Sequence, residues 1–230
     1  MGQISGKTLI IEFNGTPGAG KTTTAIMLKK RLRDMKIREI SSGEIKGYRG
    51  SYKEIMLSKE VRSVYILFLK AFFLIKPITW ERLKYMNKTF NYWLGMKKLC
   101  ISKRHRNGIC ILDQGIVQKF VSLAYLGEIS NERKYYEYIR QVMDTINNLI
   151  CVNCTVDADL SMMRMCARKP NGGRLYQIDN NKELKKVLEL QKKQFEKIRR
   201  IAIKDAVTID MDNQVEDNAE KVIEYCMRYL

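Results

Sequence analysis

Histidine is almost absent from this sequence of 230 residues, which contains only His105. Six cysteines are present, but only Cys151 and Cys154 have the CxxC spacing of a zinc or redox site, and no second pair or histidine partner completes a zinc set. Both lie in the apolar run LICVNCTV, which predicts a strand. We therefore interpret the cysteines as small buried hydrophobes in a reducing compartment, and we expect a cytoplasmic protein.

Long hydrophobic runs are missing as well, which argues against a membrane protein. The longest run, at residues 64–75, has 12 residues and includes Lys70. A membrane-spanning helix needs about 20 apolar residues, so we expect no transmembrane segment. The first residues, MGQISGKTLIIEF, lack the basic region, apolar run and small-residue cleavage site of a secretion signal.

Acidic side chains are few relative to basic ones. The chain has 25 Asp and Glu against 42 Lys and Arg, a formal net charge of +17. Such an excess predicts an anionic partner, and it leaves a nucleotide, a polynucleotide and a lipid surface all open. Hydrophobic residues make up 45% of the chain, which is a globular composition rather than a disordered one. The length favours a single domain, residues 1–230, or one domain with a mobile subdomain.

Five short apolar runs predict strands, and amphipathic stretches between them predict helices. The runs lie at residues 8–13, 37–40, 109–112, 150–156 and 206–209. Apolar strands that do not alternate with polar residues, and that are separated by helices, are typical of a parallel sheet covered on both faces. We therefore expect a three-layer α/β fold with five parallel strands.

A phosphate-binding motif follows the first of these runs. Residues 15–22, GTPGAGKT, match the P-loop pattern GxxxxGK[ST] at every fixed position. Glycines let the backbone wrap closely and point its N–H groups at phosphate oxygens, and the following helix adds its positive dipole end. Lys21 can reach the β- and γ-phosphates, and the Thr22 hydroxyl can bind Mg²⁺. The motif predicts a nucleoside triphosphate site formed by Gly15, Pro17, Gly18, Ala19, Gly20, Lys21, Thr22 and Thr23.

Asp113 directly follows the run at 109–112, where a second carboxylate that organises a metal belongs; a helix N-cap or turn aspartate is the alternative. Hydrolytic ATPases usually place a glutamate next, whereas this chain has Gln114, and an amide cannot act as a general base. The pattern favours phosphoryl transfer to a bound acceptor. The DxxG and NKxD motifs of GTPases are not matched, and Thr16 stands where partition-type ATPases have a signature lysine.

An arginine-bearing segment follows the fourth predicted strand. Arg164 and Arg168 are four residues apart, on one face of a predicted helix, and Arg174 lies beyond the loop PNGG. Phosphoryl transfer needs positive charge around the transferring group and a lid that excludes water, and arginines on a closable segment supply both. A solvated basic helix followed by an ordinary loop is the alternative.

With the P-loop, Asp113, the arginine segment and the strand at 206–209 in this order, the chain resembles the nucleoside and nucleotide kinases, most of all the thymidylate kinase-like branch. The resemblance covers most of the chain in layout, and the P-loop is its specific motif. It implies the strand order 2-3-1-4-5, a small lid at about 158–180, and Mg·ATP as donor. It also implies that residues 15–22 hold the ATP phosphates, that Asp113 orients the metal or the acceptor, and that Arg164, Arg168 and Arg174 clamp the transferring phosphoryl group.

Two positions depart from that branch. Thymidylate kinases usually have an acidic residue where this chain has Pro17, and an arginine where it has Gln114. Both positions serve the acceptor nucleotide in that family, so the departures favour a related kinase with another acceptor, a nucleoside or nucleoside monophosphate. We expect a helical acceptor-binding region at about 43–106. It contains basic and aromatic side chains that core packing also explains, namely Arg49, Tyr52, Trp80, Arg82, Tyr85, Tyr92 and Trp93.

A basic run occupies residues 97–106, and Glu81 is the only acidic residue between 76 and 106. The run predicts either a solubilising patch or contact with RNA, DNA or an anionic membrane. The leading hypothesis is therefore an ATP-dependent kinase. The alternatives are a nucleic-acid-associated P-loop ATPase or polynucleotide-end kinase, and a regulatory protein that uses ATP only as a switch. The oligomeric state is left open, with a homodimer as one arrangement.

Overall fold

The computed structural model describes residues 8–46, 58–125, 127–167 and 181–229, and within them lie seven strands and nine α-helices. The strands are β1 (Leu9–Asn14), β2 (Arg38–Ile40), β3 (Ile75–Lys76), β4 (Gly108–Leu112), β5 (Glu128–Ile129), β6 (Leu149–Thr155) and β7 (Ala206–Asp210). The helices are α1 (Lys21–Asp34), α2 (Gly43–Lys46), α3 (Lys59–Phe73), α4 (Trp80–Ile101), α5 (Ile116–Tyr125), α6 (Glu132–Met143), α7 (Ala158–Cys166), α8 (Asn181–Ala202) and α9 (Val215–Cys226).

Five strands form one parallel sheet, in the order β2-β4-β1-β6-β7. The predicted α/β class with a five-stranded parallel sheet is therefore confirmed. β3 and β5 pair antiparallel in a separate two-stranded sheet. In the numbering of all seven strands the order is 2-4-1-6-7, which corrects the expected 2-3-1-4-5. The difference lies in β3 and β5, whose two residues each are too few to give a periodic signal.

The two faces of the main sheet carry separate hydrophobic clusters, and these produce the three layers. Successive side chains of a strand point to opposite faces. Ile11 of β1 therefore joins one cluster, together with Leu28 of α1 and Val222 of α9. Ile10 joins the other cluster, on the face covered by α5, which contributes Phe120. The sheet is buried on both sides, as the unbroken apolar strand runs predict.

Cys151 and Cys154 lie on opposite faces of β6, because they are three positions apart and successive side chains of a strand alternate between the faces. Cys151 belongs to the cluster of Ile10, and Cys154 belongs to the cluster of Ile11. Burial raises the pKa of the Cys154 thiol to about 12 and holds the pKa of Cys151 well above its ordinary value. Both side chains pack in the core as small hydrophobes, in line with the sequence interpretation.

Helices α3 and α4 supply most of the region expected to bind the acceptor. Each begins at a capping residue: the Ser58 hydroxyl accepts a hydrogen bond from the Val61 N–H, and the Thr79 hydroxyl accepts one from the Arg82 N–H.

Among the described residues, no helix has both the length and the apolar composition to cross a bilayer.

The aromatic side chains of this region divide between core and surface. Tyr92 and Trp93 are buried, whereas Trp80 is 67% exposed. Trp93 stacks on the Phe90 ring and donates a hydrogen bond from its indole nitrogen to the Thr145 hydroxyl at 2.9 Å. These contacts assign Trp93 to the core rather than to a ligand. Two further residues of the region, Arg49 and Tyr52, lie outside the described residues.

Candidate nucleotide-binding site

The P-loop joins the carboxyl end of β1 to α1, at the centre of the main sheet. Gly18 has a φ of 81°, in the left-handed region that favours glycine. The space around it is also closed, since a Cβ on Gly18 would lie 2.5 Å from the Ser161 carbonyl oxygen. Both the backbone conformation and the close approach of α7 therefore require glycine at this position.

Lys21, the first residue of α1, turns its side chain back into the loop. Its Nζ donates hydrogen bonds to the carbonyl oxygens of Gly15 and Thr16, both at 2.8 Å, and the residue is 8% exposed. Among the described residues, no side chain caps the N-terminus of α1, and its first turn has no acidic residue. An ammonium group and an uncapped helix N-terminus therefore surround one backbone loop, which suits triphosphate oxygens.

The other residues of the motif differ in accessibility. Ala19 is fully buried, and Pro17 is half-buried. Thr22 and Thr23 are exposed at the start of α1. The Thr22 hydroxyl is therefore accessible to a metal ion bound beside the phosphates.

Asp113 follows β4, the strand next to β1. The parallel register pairs Glu12 of β1 with Leu112 of β4, so Asp113 lies beside Phe13, at the edge of the sheet where the P-loop begins. Adjacent strands are about 4.8 Å apart. Asp113 is half-buried. Thr22 and Asp113 are thus oxygen donors at one sheet edge, a set that fits Mg²⁺, which binds few protein ligands and keeps several waters.

A buried carboxylate in β1, Glu12, was not predicted from the sequence. Glu12 is 0% exposed, and its oxygens accept hydrogen bonds from the backbone N–H groups of Ile116 at 2.9 Å, Val117 at 2.8 Å and Gln118 at 3.4 Å. These are the first N–H groups of α5, which have no partner within the helix. Burial raises the pKa of Glu12 to about 7, although the three N–H donors and Lys119 act in the opposite direction. The available signal was a single charge inside the apolar run TLIIEF.

The turn between β4 and α5 is fitted to this carboxylate. A Cβ on Gly115 would overlap the Glu12 carboxyl group, so the approach of Glu12 depends on glycine at 115. On the other side, the Tyr92 hydroxyl of α4 donates a hydrogen bond to the Gln114 carbonyl oxygen at 3.2 Å. The Lys119 ammonium lies over the Tyr92 ring, 4.8 Å from its centroid. Two elements therefore hold the turn that carries Asp113.

Helix α7 and the segment after β7 flank the P-loop. The Ser161 hydroxyl of α7 donates a hydrogen bond to the Pro17 carbonyl oxygen. Arg164 donates from Nη2 to the Met211 carbonyl oxygen at 3.2 Å. The Met211 methyl group lies against Gly20, 2.8 Å from where a Cβ would be. The structure thus brings Arg164 to the segment that contacts the end of the loop.

The expected lid at 158–180 is described only as far as residue 167. Its described part is α7 and the Ala167 position that ends this helix. Arg168 and Arg174 lie outside the described residues, so their predicted roles stay predictions.

Replacing Ser161 with alanine is expected to lower the free energy of unfolding by about 1 kcal/mol, because it removes the hydrogen bond to the Pro17 carbonyl oxygen and a weak one, at 3.5 Å, with the Thr16 hydroxyl. The Pro17 carbonyl loses its donor, so the loop is also less well ordered, and nucleotide affinity falls. Urea unfolding and calorimetric ATP titration measure the two effects. Ser63→Ala is the matched control, because the Ser63 hydroxyl is exposed and bonds only to the Lys59 carbonyl within α3. Equal nucleotide affinity in Ser161→Ala and Ser63→Ala would contradict a role of the Ser161 hydroxyl in ordering the P-loop.

The basic run at 97–106 lies at the opposite edge of the sheet from the P-loop. It leads into the amino end of β4, whereas the parallel β1 enters the P-loop at its carboxyl end. Lys97 is also paired, with Glu60 at 2.8 Å and with the Thr145 carbonyl oxygen at 2.8 Å. A polynucleotide bound to the run would therefore lie away from the triphosphate site, which disfavours an end-phosphorylating kinase. Nucleic-acid binding by the run stays a prediction.

The strands and helices define a three-layer α/β fold with the P-loop at the carboxyl end of its central strand. Two solved structures share it, both of deoxyadenosine kinase from M. mycoides: one contains the products dCMP and a flexible dCDP, and the other contains dCTP. Each is similar to this chain with a TM-score of 0.50 and 14% sequence identity, covering 96% of this chain and 100% of its own. No protein-family model matches the chain, and no curated protein matches its sequence.

Proposed function

We propose that this protein is an ATP-dependent phosphotransferase that moves the γ-phosphoryl group of Mg·ATP to a small acceptor. The observation that carries the proposal is the loop at 15–22, where the Lys21 ammonium and the N-terminus of α1 surround one backbone segment beside Asp113. Gln114 follows Asp113, and because an amide cannot remove a proton from water, the site favours transfer over hydrolysis.

The roles of the individual residues follow from their positions. The backbone N–H groups of the loop and Lys21 would bind the β- and γ-phosphates and balance their charge. Thr22 and Asp113 would hold Mg²⁺, which when bound withdraws charge from the transferring phosphoryl group. Arg164 would add positive charge to that group from α7. The resemblance adds Arg168 and Arg174 to the same role.

A nucleoside or a nucleoside monophosphate is the acceptor that we propose. The support is the likeness in fold to structures described as deoxyadenosine kinase, which contain dCMP, dCDP or dCTP. We assign acceptor binding to the region at about 43–106, of which residues 43–46 and 58–106 are described. Pro17 and Gln114, which stand where thymidylate kinases have acceptor-binding side chains, favour an acceptor other than thymidylate.

An acceptor screen tests this function. Purified protein with Mg·ATP is incubated with single nucleosides, nucleoside monophosphates and other hydroxyl compounds, and both ADP and the phosphorylated acceptor are measured. We expect ADP formation to depend on at least one nucleoside or nucleoside monophosphate, with one phosphorylated product for each ADP. Slow ADP release that no acceptor changes would contradict the proposal and favour an ATPase or an ATP-gated regulator.

Replacing Asp113 with asparagine is expected to lower kcat about 10²-fold and to raise the Mg²⁺ concentration needed for half-maximal rate. The amide is neutral and binds a divalent cation weakly, so the metal is less well held. Asp34→Asn is the control, because Asp34 is exposed at the far end of α1. A kcat within twofold of the unchanged protein, at the same Mg²⁺ requirement, would remove Asp113 from the site.

A further inference from the structure

Glu12 is the one fully buried carboxylate of the main sheet among the described residues, and it connects two parts of the candidate site. It lies three positions before Gly15, the first residue of the P-loop. Its two oxygens accept three N–H groups from the start of α5, a helix that begins three positions after Asp113. A single side chain therefore links the strand that enters the P-loop to the turn that carries the proposed metal ligand.

The link is specific in shape as well as in hydrogen bonding. The carboxyl group occupies the space that a side chain at 115 would need. The turn is held on its other side by the hydrogen bond from Tyr92 to the Gln114 carbonyl oxygen. Neither Glu12 nor Tyr92 belongs to the P-loop motif, so these contacts are additional to the phosphate-binding loop.

We propose that Glu12 is a positioning residue, which fixes Asp113 relative to the P-loop by holding the N-terminus of α5. This inference rests on the proposed function, because it assigns Asp113 to the metal. A carboxylate suits the task, since both of its oxygens accept hydrogen bonds, whereas an amide offers one acceptor and presents N–H groups to N–H groups. Groups that orient metal ligands from behind typically contribute about 10- to 100-fold to metal affinity or activity.

The protonation state of Glu12 gives the position an independent signature. The charged or titratable groups that face it are Lys119 of α5, Tyr92 of α4 and Cys151 of β6. Its pKa is raised from 4.5 to about 7 by burial. Between these two pH values the folded protein keeps a proton that the unfolded chain releases, so the free energy of unfolding falls as pH rises through this window. Protonation of Glu12 also removes one of the two oxygens that accept hydrogen bonds from α5. Because the α5 N-terminus is then held less firmly, kcat is expected to rise as pH rises through about 7 and Glu12 loses its proton.

The test compares Glu12→Gln with Glu39→Gln, a control glutamate on β2 that pairs with Lys29 near the surface. ATP affinity is measured by calorimetry with and without Mg²⁺, and the factor by which Mg²⁺ increases it is the readout. For Glu12→Gln we expect this factor to fall about 10-fold, with metal-free ATP affinity unchanged, because the P-loop itself is intact. The kcat profile is expected to become flat with pH. Glu39→Gln is expected to keep the Mg²⁺ factor and the pH dependence of kcat of the unchanged protein.

An unchanged Mg²⁺ factor in Glu12→Gln would overturn the proposal, and so would a loss of ATP affinity equal with and without Mg²⁺, which indicates general loosening of the fold. If Glu12→Gln does not fold, Glu12→Asp provides the same test, because the shorter side chain draws the carboxylate away from the α5 N–H groups without presenting N–H donors to them. We expect a smaller fall of the Mg²⁺ factor there, and no change would overturn the proposal. These binding measurements need no acceptor, so failure of the acceptor screen is a separate result.

Discussion

Replacing Lys21 with alanine is expected to reduce the rate of phosphoryl transfer about 10³-fold while the fold stays intact. The ammonium group is the only charged side chain that the described P-loop holds within the loop, bonded to the Gly15 and Thr16 carbonyl oxygens at 2.8 Å. Removal of one preorganised donor from a transition-state site typically costs about 10²- to 10³-fold, and here the donor also carries charge. Acceptor-dependent ADP formation under saturating ATP measures the loss.

Lys30→Ala is the matched control for this variant. It lies on the same helix, nine positions further along the chain, and it is exposed. Circular dichroism and thermal unfolding of both variants separate loss of chemistry from loss of structure. If Lys21→Ala keeps more than a tenth of the transfer rate, the P-loop is not the phosphoryl-donor site.

Replacing Gly115 with alanine is expected to destabilise the protein by about 1–3 kcal/mol, the usual cost of forcing extra atoms into a filled interior. The new methyl group would overlap the Glu12 carboxyl group, which is 0% exposed. To relieve the overlap, α5 or the turn must move, and the three N–H bonds to Glu12 are lost with that movement. Urea denaturation, with m-values compared, measures the change.

Gly43→Ala separates this overlap from the general effect of replacing glycine. Gly43 is exposed, and a Cβ there would meet only the Ser41 hydroxyl at 3.2 Å, at the end of a side chain that can rotate. For Gly43→Ala we expect the free energy of unfolding to change by no more than about 0.5 kcal/mol, as for surface positions generally. Adding Glu12→Ala to Gly115→Ala empties the contested space, so the two changes should cost less together than their sum. Strict additivity would show that the two residues do not compete for that space.

Strand and helix positions could be predicted closely where hydrophobic periodicity is sustained. The run at 109–112 became β4 and the run at 206–209 became β7, each displaced by no more than one residue. The two-residue strands β3 and β5 could not be predicted, since their pairing is set by the packing of α3 and the turn before α6 rather than by any pattern in their own residues. Periodicity needs several residues to be detectable.

The candidate site was predictable to the extent that a local motif encodes it. Residues 15–22 match the P-loop pattern within eight positions, and glycine stands at each point of the loop where the backbone has a positive φ. Glu12 was not predicted, because its role depends on α5, which is more than 100 positions away in the chain. The hydrogen bond from Ser161 to Pro17 likewise spans 144 positions. Nothing in the spacing of these residues indicates the contact, so only the three-dimensional structure reveals it.

The separation between the P-loop and its supports also bears on when the site exists during synthesis. Residues 15–22 leave the ribosome before the residues that they contact. A Cβ on Gly15 would lie 2.5 Å from the Cys154 carbonyl oxygen, one on Gly18 would lie 2.5 Å from the Ser161 carbonyl oxygen, and one on Gly20 would lie 2.8 Å from the Met211 methyl group. Contacts this distant in sequence form late, after the central strands have paired. A nascent chain that ends before β6 therefore carries the complete P-loop motif without its shape. Tight binding of nucleotide becomes a signal that the whole sheet has been assembled.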